Sequence, residues 1–163
     1  MTGPFSVEDG TGRKRNSCKA VVVSEGRVLL TVNRDHLGDF YLLPGGGQKF
    51  GETVIQAMVR EVIEETGWLV EPGRLVLVRD YLGANHQFAR WESDVHQTEI
   101  VFMAKPLEQV DSPPEHDAWQ TGVEWVSPER IASLRIYPDA LRSILPGLIR
   151  GDYGGPVYIG DVN

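Results

Sequence analysis

The sequence has 163 residues, 41% of them hydrophobic and 24% charged, with a formal net charge of -7. That size and mixture suit one globular domain with a real core. The acidic balance argues against a nucleic-acid polymer as partner, since proteins that track phosphate backbones carry basic surfaces.

Residues 1–17 read as an N-terminal arm without the hydrophobic core of a signal peptide. Its Arg13-Lys14-Arg15 triplet reads as solvated, with contact to an anion as the alternative. Cys18 opens an apolar run and reads as a core thiol. It is the one cysteine, so an internal disulfide and a Cys-based zinc cluster are excluded, and a reducing, cytoplasmic setting is expected. Lys19–Val23 and Arg27–Val32 read as strands joined by a turn at Ser24-Glu25-Gly26. A polar loop over 33–39 and a short strand at Phe40–Leu43 follow. No apolar run approaches the ~18 residues of a membrane span.

Glu52–Thr66 is the clearest helix. Val54, Ile55, Met58, Val59 and Val62 recur at helical spacing, and Gly67 sits where a left-handed cap belongs. Pro72-Gly73 reads as a turn, and Leu75–Leu82 and Thr98–Ala104 as strands. The long polar segment between them, Gly83–Gln97, is of a length that is often functional. After an irregular stretch over 107–120, Gly122–Val126 reads as a last core strand. Ser127-Pro128 reads as a helix start. Asp139–Leu145 reads as a C-terminal helix stopped by Pro146-Gly147, and 151–163 as a tail over the surface. Strands and helices mix without regular alternation, so the class is α+β in a single domain, 1–163.

The helix carries an electrostatic anomaly. Glu61, Glu64 and Glu65 crowd its carbonyl end, where negative charge is disfavoured. At about 100° per residue, Glu65 lies about 40° to one side of Glu61 and Glu64 about 60° to the other. In solvent such neighbours cost only ~0.2–0.5 kcal/mol per pair, so a solvated acidic face is a workable reading. Partly buried, at ~6 Å and an effective dielectric near 20, each pair repels by roughly 3 kcal/mol, which protons or cations must offset. Mg2+ takes carboxylates, phosphate oxygens and water. The glycines after Pro44 let backbone approach a ligand closely. No P-loop, G-x-G-x-x-G, EF-hand or nucleophile-elbow motif is present.

Gly46, Glu52 and the run Arg60-Glu61-Val62-Ile63-Glu64-Glu65-Thr66-Gly67-Trp68 resemble the signature of the Nudix hydrolases, G-x5-E-x7-R-E-U-x-E-E-x-G-U with U bulky and apolar. Every fixed position matches; Trp68 at the last place is bulky rather than aliphatic. The resemblance implies an α/β/α sandwich with a mixed sheet. It implies hydrolysis of a nucleoside diphosphate linked to another moiety, such as a nucleoside triphosphate, an oxidised nucleotide or a nucleotide sugar. It implies Mg2+ or Mn2+ held by Glu61, Glu64 and Glu65 with the carbonyl near Gly45. Glu61 would help orient or deprotonate water, and Arg60 would lock the loop to the helix through Glu52 and a metal-binding glutamate.

A further acid from outside the box is expected: Glu99 first, then Glu92 and Glu115. Glu99 faces either solvent or the site, with solvent the bland expectation for it. Tyr81, Phe88 and Trp91 are candidates to stack on a base, and Arg34, Arg79 and Arg90 to reach phosphates. His86 and His96 lie in or beside the long segment. Subfamily markers are absent at Gly83–His86, which weakens ADP-ribose and dinucleoside-polyphosphate readings, and a coenzyme A motif is not evident upstream. The expected partner is a small phosphorylated nucleotide, not a nucleic acid or membrane, with a homodimer left open. A non-catalytic nucleotide-sensing module and a plain acidic adaptor are the alternatives.

Overall fold

The computed structural model describes residues 13–110 and 117–163. In chain order these form β1 (Arg13–Ser24), β2 (Arg27–Asp35), β3 (Gly38–Leu42), β4 (Gly45–Gly47), α1 (Val54–Thr66) and β5 (Trp68–Leu82). A 3-10 turn (Gly83–Asn85), α2 (Ala89–Glu92), β6 (Val95–Gln109), β7 (Gln120–Val126), α3 (Pro128–Ile131) and α4 (Leu141–Arg150) follow.

The sheet is mixed. β1 runs parallel to β6, from Arg13 opposite Val95 to Val22 opposite Ala104. β4 and β5 join antiparallel on either side of that pair, and β2 carries β3 and β7. Residues 13–17, read as arm, are therefore strand; their polarity masked it, because their backbone pairs with β6 while Lys14, Arg15 and Asn16 stay exposed. Residues 1–12 lie outside the described residues.

Strand alternation sorts the core into two layers. Cys18, Ala20 and Val22 of β1 join Ala57, Met58 and Val62 of α1. Val21, on the other face, joins Ile131 of α3 and Leu141, Ile144, Leu145 and Leu148 of α4. The result is the expected α+β sandwich with helices on both faces. Ile55, read as part of the apolar stripe, is exposed instead, and Ala57 is buried in its place.

Several boundaries differ from expectation: the polar loop over 33–39 is mostly strand, since β2 runs to Asp35 and β3 starts at Gly38, and β6 and β7 take both ends of the irregular stretch over 107–120. β5 runs through Pro72-Gly73, with register slips on either side absorbing a residue that has no N–H to donate. The polar segment after β5 is short helical turns rather than open loop, and β6 begins at Val95. α4 continues past Pro146 to Gly151 at φ 80°, because ending at the proline would expose Leu148, which is 2% exposed. The tail lies along β5: Val78 N–H donates to Val157 O at 2.8 Å and Asp80 N–H to Gly160 O at 3.1 Å. No helix among the described residues is long and apolar enough to cross a membrane.

Candidate functional site

α1 starts sharply. Thr53 caps Gln56 N–H, and the Gln56 side chain accepts from Thr53 N–H, a reciprocal box. It ends on Gly67 at φ 74°, with no basic residue in the last turn to compensate the acids there. That compensation comes from Arg60, one turn back.

The Arg60 guanidinium spends nearly all its donors on this region. Nε reaches Glu52 Oε1 at 2.6 Å and Nη2 reaches Glu52 Oε2 at 3.0 Å, a two-point clamp. Nη1 reaches Glu61 Oε1 at 2.6 Å and Glu64 Oε2 at 3.2 Å, and Nη2 also donates to Gly47 O at 3.0 Å. The Arg60 hydrogen bonds, with one from Lys49 N–H, hold the Glu52 carboxyl down at about 2. One arginine thus ties the glycine strand, the loop and the acidic face of α1 together.

Glu65 is handled differently. Burial pushes its carboxyl up to about 7, against the Lys19 charge and the hydrogen bond it accepts from Gly45 N–H at 2.9 Å. β4 passes close by. A Cβ on Gly46 would fall 2.5 Å from Glu61 Oε2, so only glycine leaves that carboxylate its place.

A cavity of about 400 Å³ opens beside these groups. Glu61, Glu65 and the glycines of β4 line it. Arg15, Ser17 and Lys19 line it from β1, Gln97 and Glu99 from β6, Arg79 and Tyr81 from β5. Phe88 and Tyr137 line it as well, their ring centroids 5.3 Å apart in an edge-to-face contact. The sheet floor carries a buried ion pair, Arg79 Nε to Glu99 Oε2 at 2.7 Å, and Arg79 Nη1 also donates to Val162 O at 2.6 Å. Burial pushes the Glu99 carboxyl up, but Lys19 and Arg79 outweigh it and the net direction is down.

Carboxylates, a glycine strand and an open cavity meet at the signature Gly46–Trp68, and a family model described as the NUDIX domain matches residues 13–147. The chain belongs to the Nudix hydrolase family. The Nudix fold is equally clear among solved structures. A Nudix hydrolase from Nitrosomonas europaea matches with TM-score 0.66 at 21% identity, over 86% of this chain and 88% of that one. An ADP-ribose pyrophosphatase from Streptococcus suis matches with TM-score 0.62 at 19% identity, over 90% and 98%. A MutT Nudix hydrolase from Burkholderia pseudomallei matches with TM-score 0.52 at 25% identity, over 72% and 85%.

Around the Nudix box the predicted residues divide. Gly45, Glu61, Glu65, Tyr81 and Glu99 line the cavity, whereas Glu64 stays outside it on Arg60. Glu52 and Arg60 brace it from behind. Glu99 is buried rather than solvent-facing, because β6 turns it to the same face as Val101. Arg34 points away, exposed and paired with Asp39 at 2.7 Å. Arg90 sits over the exposed Trp91 ring, and neither reaches the cavity. Tyr81 stacks on His86 and donates to Glu92, so its hydroxyl is already spent. His86 is held by Asp161, and His96 lies beside Asp80. Glu115 lies outside the described residues. Among the described residues no three His, Cys, Asp or Glu side chains are grouped to grip a metal as they stand.

Lys19, Gln97 and Tyr137 carry no motif. For Lys19 the available signal is alternation along β1, where Arg15, Ser17 and Lys19 take every second place against Cys18, Ala20 and Val22.

Proposed function

We propose that this Nudix hydrolase is a metal-dependent pyrophosphohydrolase that cleaves a nucleoside diphosphate linked to another moiety. The observation that carries the reading is the pair Glu61 and Glu65, turned into the cavity while Arg60 fixes the face they stand on. The donor set is all oxygen, which suits a hard divalent cation such as Mg2+ or Mn2+. Glu61 and Glu65 would hold it, with Glu64 and the Gly45 carbonyl as further donors. Bound there, the cation would neutralise phosphate charge and lower the pKa of water.

The chain's own groups do the rest. Arg60 Nη1 holds Glu61 on Oε1 and Glu64 on Oε2. That leaves Glu61 Oε2 as the oxygen that would orient the attacking water. Glu65 keeps Gly45 N–H as an anchor, which fixes its carboxylate against β4. Phe88 and Tyr137, which also line the cavity, offer aromatic surface for a nucleobase. The segment carrying Phe88 is tied down through Tyr81 to Glu92 and through His86 to Asp161.

The test is a panel of nucleoside triphosphates, oxidised nucleotides, nucleotide sugars and dinucleotides with Mg2+ or Mn2+ at mildly alkaline pH, products separated by chromatography. Turnover of one class supports the reading and names the substrate. Tight nucleotide binding by calorimetry with no turnover of any member would replace it with a sensing module.

A further inference from the structure

The cavity has three basic side chains on its walls among the described residues, Arg15, Lys19 and Arg79. Two are committed. Arg15 Nε donates to Gln97 Oε1 at 2.7 Å. Arg79 is spent on Glu99 and on Val162 O. The Lys19 ammonium has no hydrogen bond or ion pair among the described residues.

Its position is nonetheless fixed. β1 places Lys19 opposite Gly45 of β4 on one side and Val101 of β6 on the other. A Cβ on Gly45 would come 2.5 Å from Lys19 Cα and 2.9 Å from its Cγ, so the stem lies flat against bare glycine backbone. The stem thus carries the charge into a cavity that it shares with two acids of different elements, Glu65 of α1 and Glu99 of β6, and it opposes the upward push of burial on both. Each acid already has its own partner, Gly45 N–H for Glu65 and Arg79 for Glu99. A half-buried ammonium with three unspent donors is a point-charge site for a phosphate oxygen.

We propose that Lys19 is a substrate-binding residue whose ammonium takes a non-bridging oxygen of the diphosphate, between the box acids and the Arg79–Glu99 pair. This rests on the pyrophosphohydrolase reading and adds a residue outside the Nudix box to it. The ligand chemistry is a diphosphate rather than a nucleobase, so the contact is common to every nucleotide substrate the cavity admits.

The experiment titrates imidodiphosphate, a hydrolysis-resistant diphosphate, into the full chain with Mg2+ present, for wild type, Lys19→Met and Lys19→Arg. The Met variant keeps the stem against Gly45 and removes only the charge; Lys19→Gln serves if it fails to fold. Expected is a loss of affinity of roughly 10- to 100-fold in Lys19→Met, substantial rescue in Lys19→Arg, and a KM increase larger than the fall in kcat. If Lys19 only offsets Glu65 and Glu99, Lys19→Met binds imidodiphosphate like wild type and loses thermal stability instead, which overturns the proposal. A wild type that does not bind imidodiphosphate overturns it as well. Turnover by wild type with an unchanged Lys19→Met removes Lys19 and leaves the hydrolase reading standing. Lys19-dependent binding with no turnover of any nucleotide does the reverse.

Discussion

Arg60 and Glu52 meet through two parallel hydrogen bonds, at 2.6 and 3.0 Å, across the loop that separates the glycine strand from the acidic helix. Both side chains are 20% exposed, so the contact is half-shielded from water. Because the same guanidinium also holds Glu61, Glu64 and Gly47 O, it sets where Glu61 stands in the cavity before any ligand arrives.

Arg60→Lys tests this division of labour. Lysine keeps the charge but presents a point rather than a planar fork, and it cannot serve Glu52, Glu61 and Gly47 O together. If the proposed cation site is right, the expected outcome is a folded protein with kcat reduced roughly 10- to 100-fold, the size of effect typical of groups that orient metal ligands. Circular dichroism establishes the fold, and steady-state kinetics on the best panel substrate measures the loss. A kcat equal to wild type would show that the clamp is dispensable for positioning.

Glu65→Gln separates chemistry from architecture at the other cavity acid. Glutamine preserves the shape and can still accept from Gly45 N–H, but it cannot carry the charge that the proposed cation site requires. Turnover is expected to fall by roughly 10²- to 10⁴-fold. Thermal stability of the chelator-treated protein is expected to hold, because the substitution removes a charge from a site where burial disfavours it. Loss of folding would assign Glu65 a structural role instead.

How much of this was legible in the residues follows from the range of each signal. The box acids and Gly67 are local, and spacing along one helix is enough to group them. The α1 apolar face was legible too, except that periodicity could not tell exposed Ile55 from buried Ala57. Contacts between distant strands were not legible. Nothing in Arg15 or Lys19 reports that β6 lies alongside β1, and nothing in Tyr137 reports that it meets Phe88. Arg34, Arg90 and Trp91 have the right chemistry for a nucleotide but the wrong strand phase or helix face, which sequence alone does not fix.

The rim of the fold supplies a pH prediction away from the box. Arg135 holds Asp35 through Nη1 at 2.8 Å and Nη2 at 2.5 Å, and this contact draws the Asp35 carboxyl down to about 2 from its usual 3.8. A carboxyl depressed on folding stabilises the native state above its unfolded pKa, and that contribution is lost as pH falls through the window between the two values. The gap between the urea midpoints of wild type and Asp35→Asn should therefore be clearly smaller at pH 3, inside that window, than at pH 6. Equal separation at both pH values would mean that the side chain acts through packing and not through its charge.

The adjacent glycines of β4 should fail in different ways. At Gly45, φ is 142° and an added Cβ would lie 2.2 Å from the Cys18 backbone oxygen, so neither the conformation nor the space tolerates alanine. Backbone must move, and β4 would pull away from β1 at a cost of roughly 1–3 kcal/mol or more. At Gly46 the obstacle is the Glu61 carboxylate, with Oε2 at 2.5 Å and Cδ at 2.6 Å, which is the end of a flexible side chain. Alanine there displaces Glu61 without disturbing the strand. Gly45→Ala is thus expected to lower Tm by several degrees, whereas Gly46→Ala keeps Tm near wild type and loses turnover. Differential scanning fluorimetry paired with kinetics reads both axes. A Gly46→Ala protein with full activity would show that the Glu61 position fixed by this glycine is not the one used in catalysis.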